Sequence, residues 1–289
     1  MSNPIKPILS GLYLFAIVAS MPCRAIEDGS SNYLPGFYGD FAMGVLPDKG
    51  VYFSNFMAAY QDKSGKTATL LEMPSLFVVT DYTVLGGIYG FGIYPGVTAI
   101  QDRSGATQME RVGLVDTYIV PLTINWKWDV FNVLLYEGIV APTGYYEKDA
   151  YNTGLNIWTF DQVLSLTWEL PGDNEISTTL GYMVNTKNDA TDYRNGDELH
   201  FDYTVGHYFG EAFALGVTGS FYRQVSADRA PIAIRETTFS EAASIGPVVM
   251  WTPHINDREV TLSLKWLHEY NVQGRLAQDY LISRFDVDF

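Results

Sequence analysis

From Glu259 to Trp266 the chain alternates residue by residue. Val260, Leu262, Leu264 and Trp266 share one face of an extended strand, and Glu259, Thr261, Ser263 and Lys265 share the other. Successive strand side chains point to opposite faces, so the segment carries one apolar and one polar surface. The pattern recurs. Ile176, Thr178, Leu180, Tyr182 and Val184 oppose Glu175, Ser177, Thr179 and Asn185; Leu199, Phe201, Tyr203, Val205 and Phe209 oppose Glu198, His200, Asp202 and Thr204. Trp158, Phe160, Leu164, Leu166 and Trp168 oppose Thr159, Asp161, Ser165, Thr167 and Glu169. Twelve such runs are expected: 51–61, 74–83, 87–99, 113–125, 128–141, 155–170, 174–187, 198–210, 211–225, 240–253, 257–271 and 275–289. Those at 87–99, 113–125 and 128–141 alternate least cleanly, and no span reads as a helix.

The connections are sorted by length. Tight turns are expected at 84–86, at Trp126-Lys127, at Pro171-Gly172-Asp173, near Gly210 and at 254–256. Long connections are expected at 62–73, 100–112, 142–154, 188–197 and 226–239, with the short one near Gly274 as the exception. Short periplasmic turns alternating with longer outside loops characterise outer-membrane barrels, whereas a soluble sandwich has no reason to sort its loops. In hydrocarbon every backbone amide and carbonyl needs an internal partner, and closing the sheet removes the unpaired edge. The expected fold is therefore all-β: a transmembrane antiparallel barrel of about twelve strands over 51–289. Such a strand number leaves a narrow lumen.

The ends agree. Lys6, an apolar stretch from Ile8 to Ser20, and small residues around Arg24 read as a secretory signal cleaved after Ala25. Removing 25 of 289 residues leaves 264, with 16 basic against 33 acidic side chains, a charge of −17 and no cysteine. That balance argues against nucleic acid, which needs clustered Lys and Arg. Beyond the signal no stretch approaches the roughly 18–20 apolar residues of a membrane helix. At the other end Leu281, Ser283, Phe285, Val287 and the terminal Phe289 share a face. This ending resembles the signal read by the outer-membrane assembly machinery.

Several blocks resemble a family of proteobacterial outer-membrane transport proteins known from meta-pathway phenol-degradation clusters. They are YLPGFYGDFAMGVLPDKGVYF from Tyr33, VLGG from Val84, APTGYY from Ala141, NTGLNIWTF from Asn152, ATDYRNGDELHFDY from Ala190, GSFYRQVSAD from Gly219, IGPVV from Ile245 and LHEYNVQGR from Leu267. The resemblance implies a monomeric channel of the Gram-negative outer membrane for small, often hydrophobic or aromatic compounds. It also implies a route for such compounds through the barrel wall.

Candidate pore-lining residues are Asp161, Glu169, Glu198, His200, Asp202, Gln224, Glu259, Lys265, Glu269 and Arg284, with Asp286 and Asp288 on the same faces. Their excess of acids suits cations or neutral solutes, or else they pair across strands. The segment 26–50 lacks alternation but is rich in Gly and aromatics. Tyr33, Phe37, Tyr38 and Phe41 make it a candidate lumen plug, the alternative being a tail on the periplasmic rim. Asn152, Asn156, Trp158, Tyr193 and Arg194, beside outside loops, are candidates for shaping an entrance. His200 and Asp202 share a face and could act as a pair, although such a pair is more often a hydrogen bond in a polar lumen. His207 points to lipid, where Tyr208 and Phe209 offer no base–nucleophile pattern, and the histidines are scattered. No catalysis, metal or cofactor is expected. The expected partners are outer-membrane lipid and lipopolysaccharide, the assembly machinery and a small solute. The alternatives are a sealed structural or adhesive barrel and a membrane-embedded hydrolase.

Overall fold

The computed structural model describes residues 31–105, 108–148, 150–230, 239–255 and 258–289. The expected signal peptide, 1–25, and the start of the 26–50 segment lie outside the described residues.

Strands form where alternation is unbroken and stop at turn formers. They are β1 (Gly50–Asp62), β2 (Thr67–Val84), β3 (Gly87–Tyr94), β4 (Val97–Asp102), β5 (Met109–Leu114), β6 (Thr117–Trp128), β7 (Phe131–Ala141), β8 (Thr159–Leu170) and β9 (Asn174–Asn185). After them come β10 (Lys187–Asn188), β11 (Tyr193–Arg194), β12 (Glu198–Tyr208), β13 (Phe213–Gln224), β14 (Glu241–Trp251), β15 (His254–Ile255), β16 (Arg258–Gln273) and β17 (Gln278–Asp288). Within the wall each strand pairs antiparallel with its chain neighbour, and β1 pairs both β2 and β17, which closes the sheet. The long β2 pairs β3 with its lower part and β4 with its upper part. Thus β3 and β4 act as one wall strand interrupted at Pro95-Gly96, and β5 and β6 as another interrupted at Val115-Asp116. Counted this way the barrel has twelve strands and is closed through β1, while β5 pairs β4 alone.

The untidy alternation of 113–125 has a structural cause. The register shifts opposite Gly90–Gly92 of β3 and between Ile119 and Leu122 both place one extra residue in β6. A bulge inserts a residue and reverses which parity faces inward, so the period of two restarts on the other phase.

Three expected connections differ. The turn expected at Trp126-Lys127 lies at Asp129-Val130, where Asp129 takes a left-handed φ of 45°. Loops expected at 62–73 and 100–112 shrink to 63–66 and 103–108, because β2, β4 and β5 run on as hairpins.

Leu164, Leu180, Val205, Leu215, Val217 and Leu264 stand exposed on the outer face. Lipid covers such a surface. Inside, residues 31–49 run down the lumen and divide it. The inner walls of β8, β9, β12, β13 and β14 are polar, with cross-strand hydroxyl pairs Ser165–Thr179 (2.7 Å), Thr204–Thr218 (3.0 Å) and Ser220–Ser244 (2.7 Å). The inner walls of β1, β2, β16 and β17 carry an apolar patch between polar residues such as Ser54, Ser75 and Lys265: Phe56, Ala58, Leu71, Met73, Leu267 and Ile282 form one buried cluster with Tyr118 and Tyr280.

Candidate functional site

The N-terminal segment is amphipathic across this divide. Leu34 and Phe37 pack on the apolar cluster, while its tyrosine hydroxyls and several amides turn to the polar wall. Tyr33 donates to Asp202 (3.0 Å), the Gly36 amide to the same carboxylate (3.1 Å), and Tyr38 to Asp161 (2.6 Å). Lower down, the amides of Ala42 and Gly44 reach Glu175 (2.7 Å) and Thr167 (2.8 Å), and that of Leu46 reaches Asn125 (3.2 Å). Gly44 touches the wall so closely that a Cβ there would lie 2.6 Å from the Thr167 nitrogen and 2.7 Å from the Asn132 carbonyl oxygen. An unpartnered buried amide is costly, so these wall side chains specify the path of the segment.

At the centre of the lumen the His200 ring lies between two tyrosines. It stacks on Tyr33 at 4.6 Å and on Tyr38 at 4.8 Å. Its Nε2 is 3.0 Å from Asp161 and its Nδ1 is 3.8 Å from Asp202. Gly181 on the neighbouring strand leaves room for the ring, since a Cβ there would come within 2.0 Å of Nε2. A second anchor joins Asp40 of the segment to Lys265 (3.0 Å) and Arg284 (3.6 Å), and Lys265 also donates to the Gly39 carbonyl (2.5 Å).

Above the segment opens a vestibule of about 610 Å³. Leu34, Pro35 and Phe37 form its floor, Leu71, Met73 and Val140 one wall, and Tyr60, Tyr118, Tyr222 and Tyr280 much of the rest. Its cation, Arg275, lies over the Tyr222 ring at 5.9 Å and is ion-paired with Glu269. Glu269 also accepts from Tyr280 (3.1 Å) and from the Gln278 amide (2.8 Å). A charged solute entering here meets a cation already ion-paired and the acids Asp102 and Asp116, whereas a ring meets apolar and aromatic surface.

Loop 142–158 contributes to the rim and is stapled to the wall by Asp116, which accepts from the amides of Gly144 (2.9 Å) and Leu155 (2.7 Å). Among the entrance candidates, Asn152 lines the vestibule, and it also forms a two-bond ring with the Glu147 backbone. Asn156, at φ 57°, donates to the fully buried Asn188. Tyr193 donates to Asp228 (2.6 Å), and Arg194 holds the Asn185 carbonyl (2.9 Å). These two tie loops together. Burial pushes the Asp228 carboxyl up, opposed by hydrogen bonds from Tyr193, Gly196 and Gln224. Trp158 is 46% exposed, on the outer-facing parity of β8.

Of the pore candidates, Asp161, Glu198, His200, Asp202, Gln224, Lys265 and Glu269 are buried inside the barrel. Glu198 accepts from Asn185 (2.8 Å) and from Ser31. Glu169 accepts from Asn132 (3.2 Å) towards the periplasmic end, and Arg284 pairs with Asp286 (2.9 Å). Glu259 stands apart from the lumen, exposed at the periplasmic end of β16 opposite His254. The plug candidates Tyr33, Phe37 and Tyr38 line the vestibule, and Phe41 packs lower, against Ala214, Val248 and Tyr208. The inward apolar residues Phe56, Leu71, Met73, Leu267 and Ile282 were not among the candidates. The signal available was the inner parity of β2, where Leu71, Met73 and Phe77 stand among Thr69 and Ser75 while Leu70 and Leu76 hold the outer parity.

The family model described as "Putative MetA-pathway of phenol degradation" matches residues 51–285. The chain belongs to this family. Among solved structures, an outer membrane channel from Pseudomonas putida F1 is similar with a TM-score of 0.69 at 13% identity, covering 89% of this chain and all of that one. The CymD monoaromatic hydrocarbon channel follows at 0.45 and 8% identity, covering 84% of this chain and 89% of that one. The autotransporter AIDA-I transport unit from Escherichia coli stands at 0.49 and 8%, covering 86% and 94%. No curated protein matches the chain. The first likeness shows the fold that this family member adopts, a closed barrel of the outer-membrane type.

Proposed function

We propose that this family member is an outer-membrane channel for passive uptake of small hydrophobic or aromatic compounds, acting as a monomer without chemistry on the solute. The observation that carries the reading is the vestibule: apolar and aromatic over most of its lining, its cation ion-paired with Glu269, and floored by the N-terminal segment. The similar P. putida structure is that of an outer membrane channel, in keeping with this. A compound entering between the outside loops exchanges water for ring and aliphatic contacts, each square ångström of apolar surface covered contributing about 25 cal/mol. Below it residues 31–49 act as the plug, held by the His200 stack and the Asp40–Lys265 pair. Inward acids outnumber inward cations among the described residues, so ions that leak past are expected to be cations. His200 is clasped between tyrosines and carboxylates with no nucleophile beside it, which favours a structural post over a catalytic base.

A wall exit is a second reading. β5 pairs β4 alone, and beneath it the interruptions at Pro95-Gly96 and Val115-Asp116 lie side by side, bridged by a Val115 N–Gly96 O bond of 3.0 Å. The paired strands elsewhere in the wall disfavour a slot there. The test is entry of N-phenyl-1-naphthylamine across an asymmetric bilayer with a lipopolysaccharide outer leaflet. Entry should rise when the protein is inserted and fall when Leu71 and Met73 are both changed to Asp. Equal entry with and without the protein would mean a sealed barrel.

A further inference from the structure

The N-terminal segment fills the lumen unevenly. On the polar wall the inward side chains of Asp161, Ser177, His200, Asp202, Thr204 and Thr218 are 0% exposed, sealed beneath it. On the opposite wall Tyr52 and Tyr60 of β1, Phe77 of β2, Ile88 and Tyr94 of β3 and Tyr136 of β7 share the inward parity, yet each keeps part of its surface uncovered. Lipid does not reach inward side chains, so space remains inside the barrel along this wall. Glycines deepen it. Gly90 and Gly92 of β3 present no side chain, and the Phe77 ring lies back over both, so that a Cβ on either would come within 3.1 Å or 2.5 Å of it. Tyr118 lies over Gly138 of β7 in the same way, 2.4 Å from where its Cβ would be.

The rings of this wall form a descending series. At the floor of the vestibule Phe37 of the segment meets Phe56 at 5.1 Å, Tyr118 at 5.7 Å and Tyr94 at 6.1 Å. Tyr136 packs on this upper cluster and also on a lower one of Leu46, Val79 and Leu134, which Tyr52 and Phe77 join. It therefore bridges the two, and Tyr38 of the segment faces its ring at 6.2 Å. Along β1, Tyr60, Phe56 and Tyr52 stand four residues apart, so the series spans roughly 26 Å. It ends two residues from the periplasmic start of that strand. A flat ring can exchange one edge or face contact for the next on the way down.

We propose that an aromatic solute descends from the vestibule along this face, between the N-terminal segment and β1, β2, β3, β6 and β7, and leaves past Tyr52, with Tyr136 as the ring it must turn aside. The proposal rests on the channel reading above and adds to it a route and the residue that gates it.

Photolysis of 1-azidonaphthalene with the purified full-length protein, followed by peptide mass spectrometry, should leave adducts on Tyr136, Phe77 or Tyr52 as well as in the vestibule. In the asymmetric bilayer, Tyr136→Ala should speed entry of N-phenyl-1-naphthylamine about tenfold by removing the gating ring. Gly92→Leu should slow it by about as much, because the new side chain drives Phe77 off the wall and into the path. Heat-modifiable gel mobility checks that each variant remains folded. Vestibule adducts with none on those three residues would overturn the route and leave the channel reading standing. So would unchanged entry through both folded variants. Absence of entry through the unaltered protein would overturn both.

Discussion

Gly181→Ala tests how the N-terminal segment is held. The added methyl would sit 2.0 Å from His200 Nε2 and 2.2 Å from Cε1, so the ring must leave its place between Tyr33 and Tyr38. Backbone strain is no obstacle, since Gly181 lies in regular pairing with Val163 and His200. Two aromatic contacts are lost, each of about 0.5–1.5 kcal/mol. The bond to Asp161 (3.0 Å) joins two wall strands, so its loss weighs on the barrel rather than on the segment. The segment's bound state should therefore weaken by about 1–3 kcal/mol, which raises the released population roughly 5- to 150-fold. The assay is labelling of Ser31→Cys, made in a Cys23→Ala background, in the folded barrel. The label should react much faster with Gly181→Ala than without it. Combined with His200→Ala, the alanine at 181 should add little further, because the two changes act through one ring. Unchanged labelling in Gly181→Ala, with the barrel folded, would refute the idea that His200 is the post that holds the segment.

Other consequences are open to direct measurement. Lys265→Met leaves Asp40 buried beside Arg284 alone, and should cost about 3–5 kcal/mol in denaturant unfolding, more than Asp40→Asn/Lys265→Met together. Asp116→Ala strands the Gly144 and Leu155 amides, so loop 142–158 should become a protease site while the barrel band on gels is unchanged. Leu164→Arg, on the outer face of β8, should destabilise the inserted barrel by about 2–4 kcal/mol if that face meets the middle of the bilayer. Thr167→Arg on the same strand should act on conductance, because its side chain faces the segment.

The outer surface was the legible part of this molecule. A membrane barrel must present apolar side chains at every second position to lipid, so β8, β9, β12 and β16 could be read almost to their ends. The inner surface was harder. Period two says that the opposite parity faces inward but not what awaits it there. The expectation of a polar lumen holds for Asp161, Ser177, His200 and Asp202, which meet the tyrosine side of the segment. It fails for Phe56, Leu71, Met73 and Ile282, which face Leu34, Phe37 and the vestibule. The bulge in β6 hid that strand by reversing its parity, and Pro95-Gly96 hid the division of β3 from β4. The pairing of His200 with Gly181 left no local signal, since one supplies a ring and a distant strand supplies the vacancy. Of the entrance candidates, Asn156, Tyr193 and Arg194 stood out as polar residues in distinctive motifs. Their hydrogen bonds to Asn188, Asp228 and Asn185 tie the loops together.

The central claim is that the barrel is a channel narrowed by its own N-terminal segment. Single-channel recording of the mature protein with and without residues 26–49 tests it most directly. The account predicts small, cation-preferring steps from the complete chain and clearly larger ones after the deletion. Steps of equal size from both forms, or silence from both despite proven insertion, would contradict it.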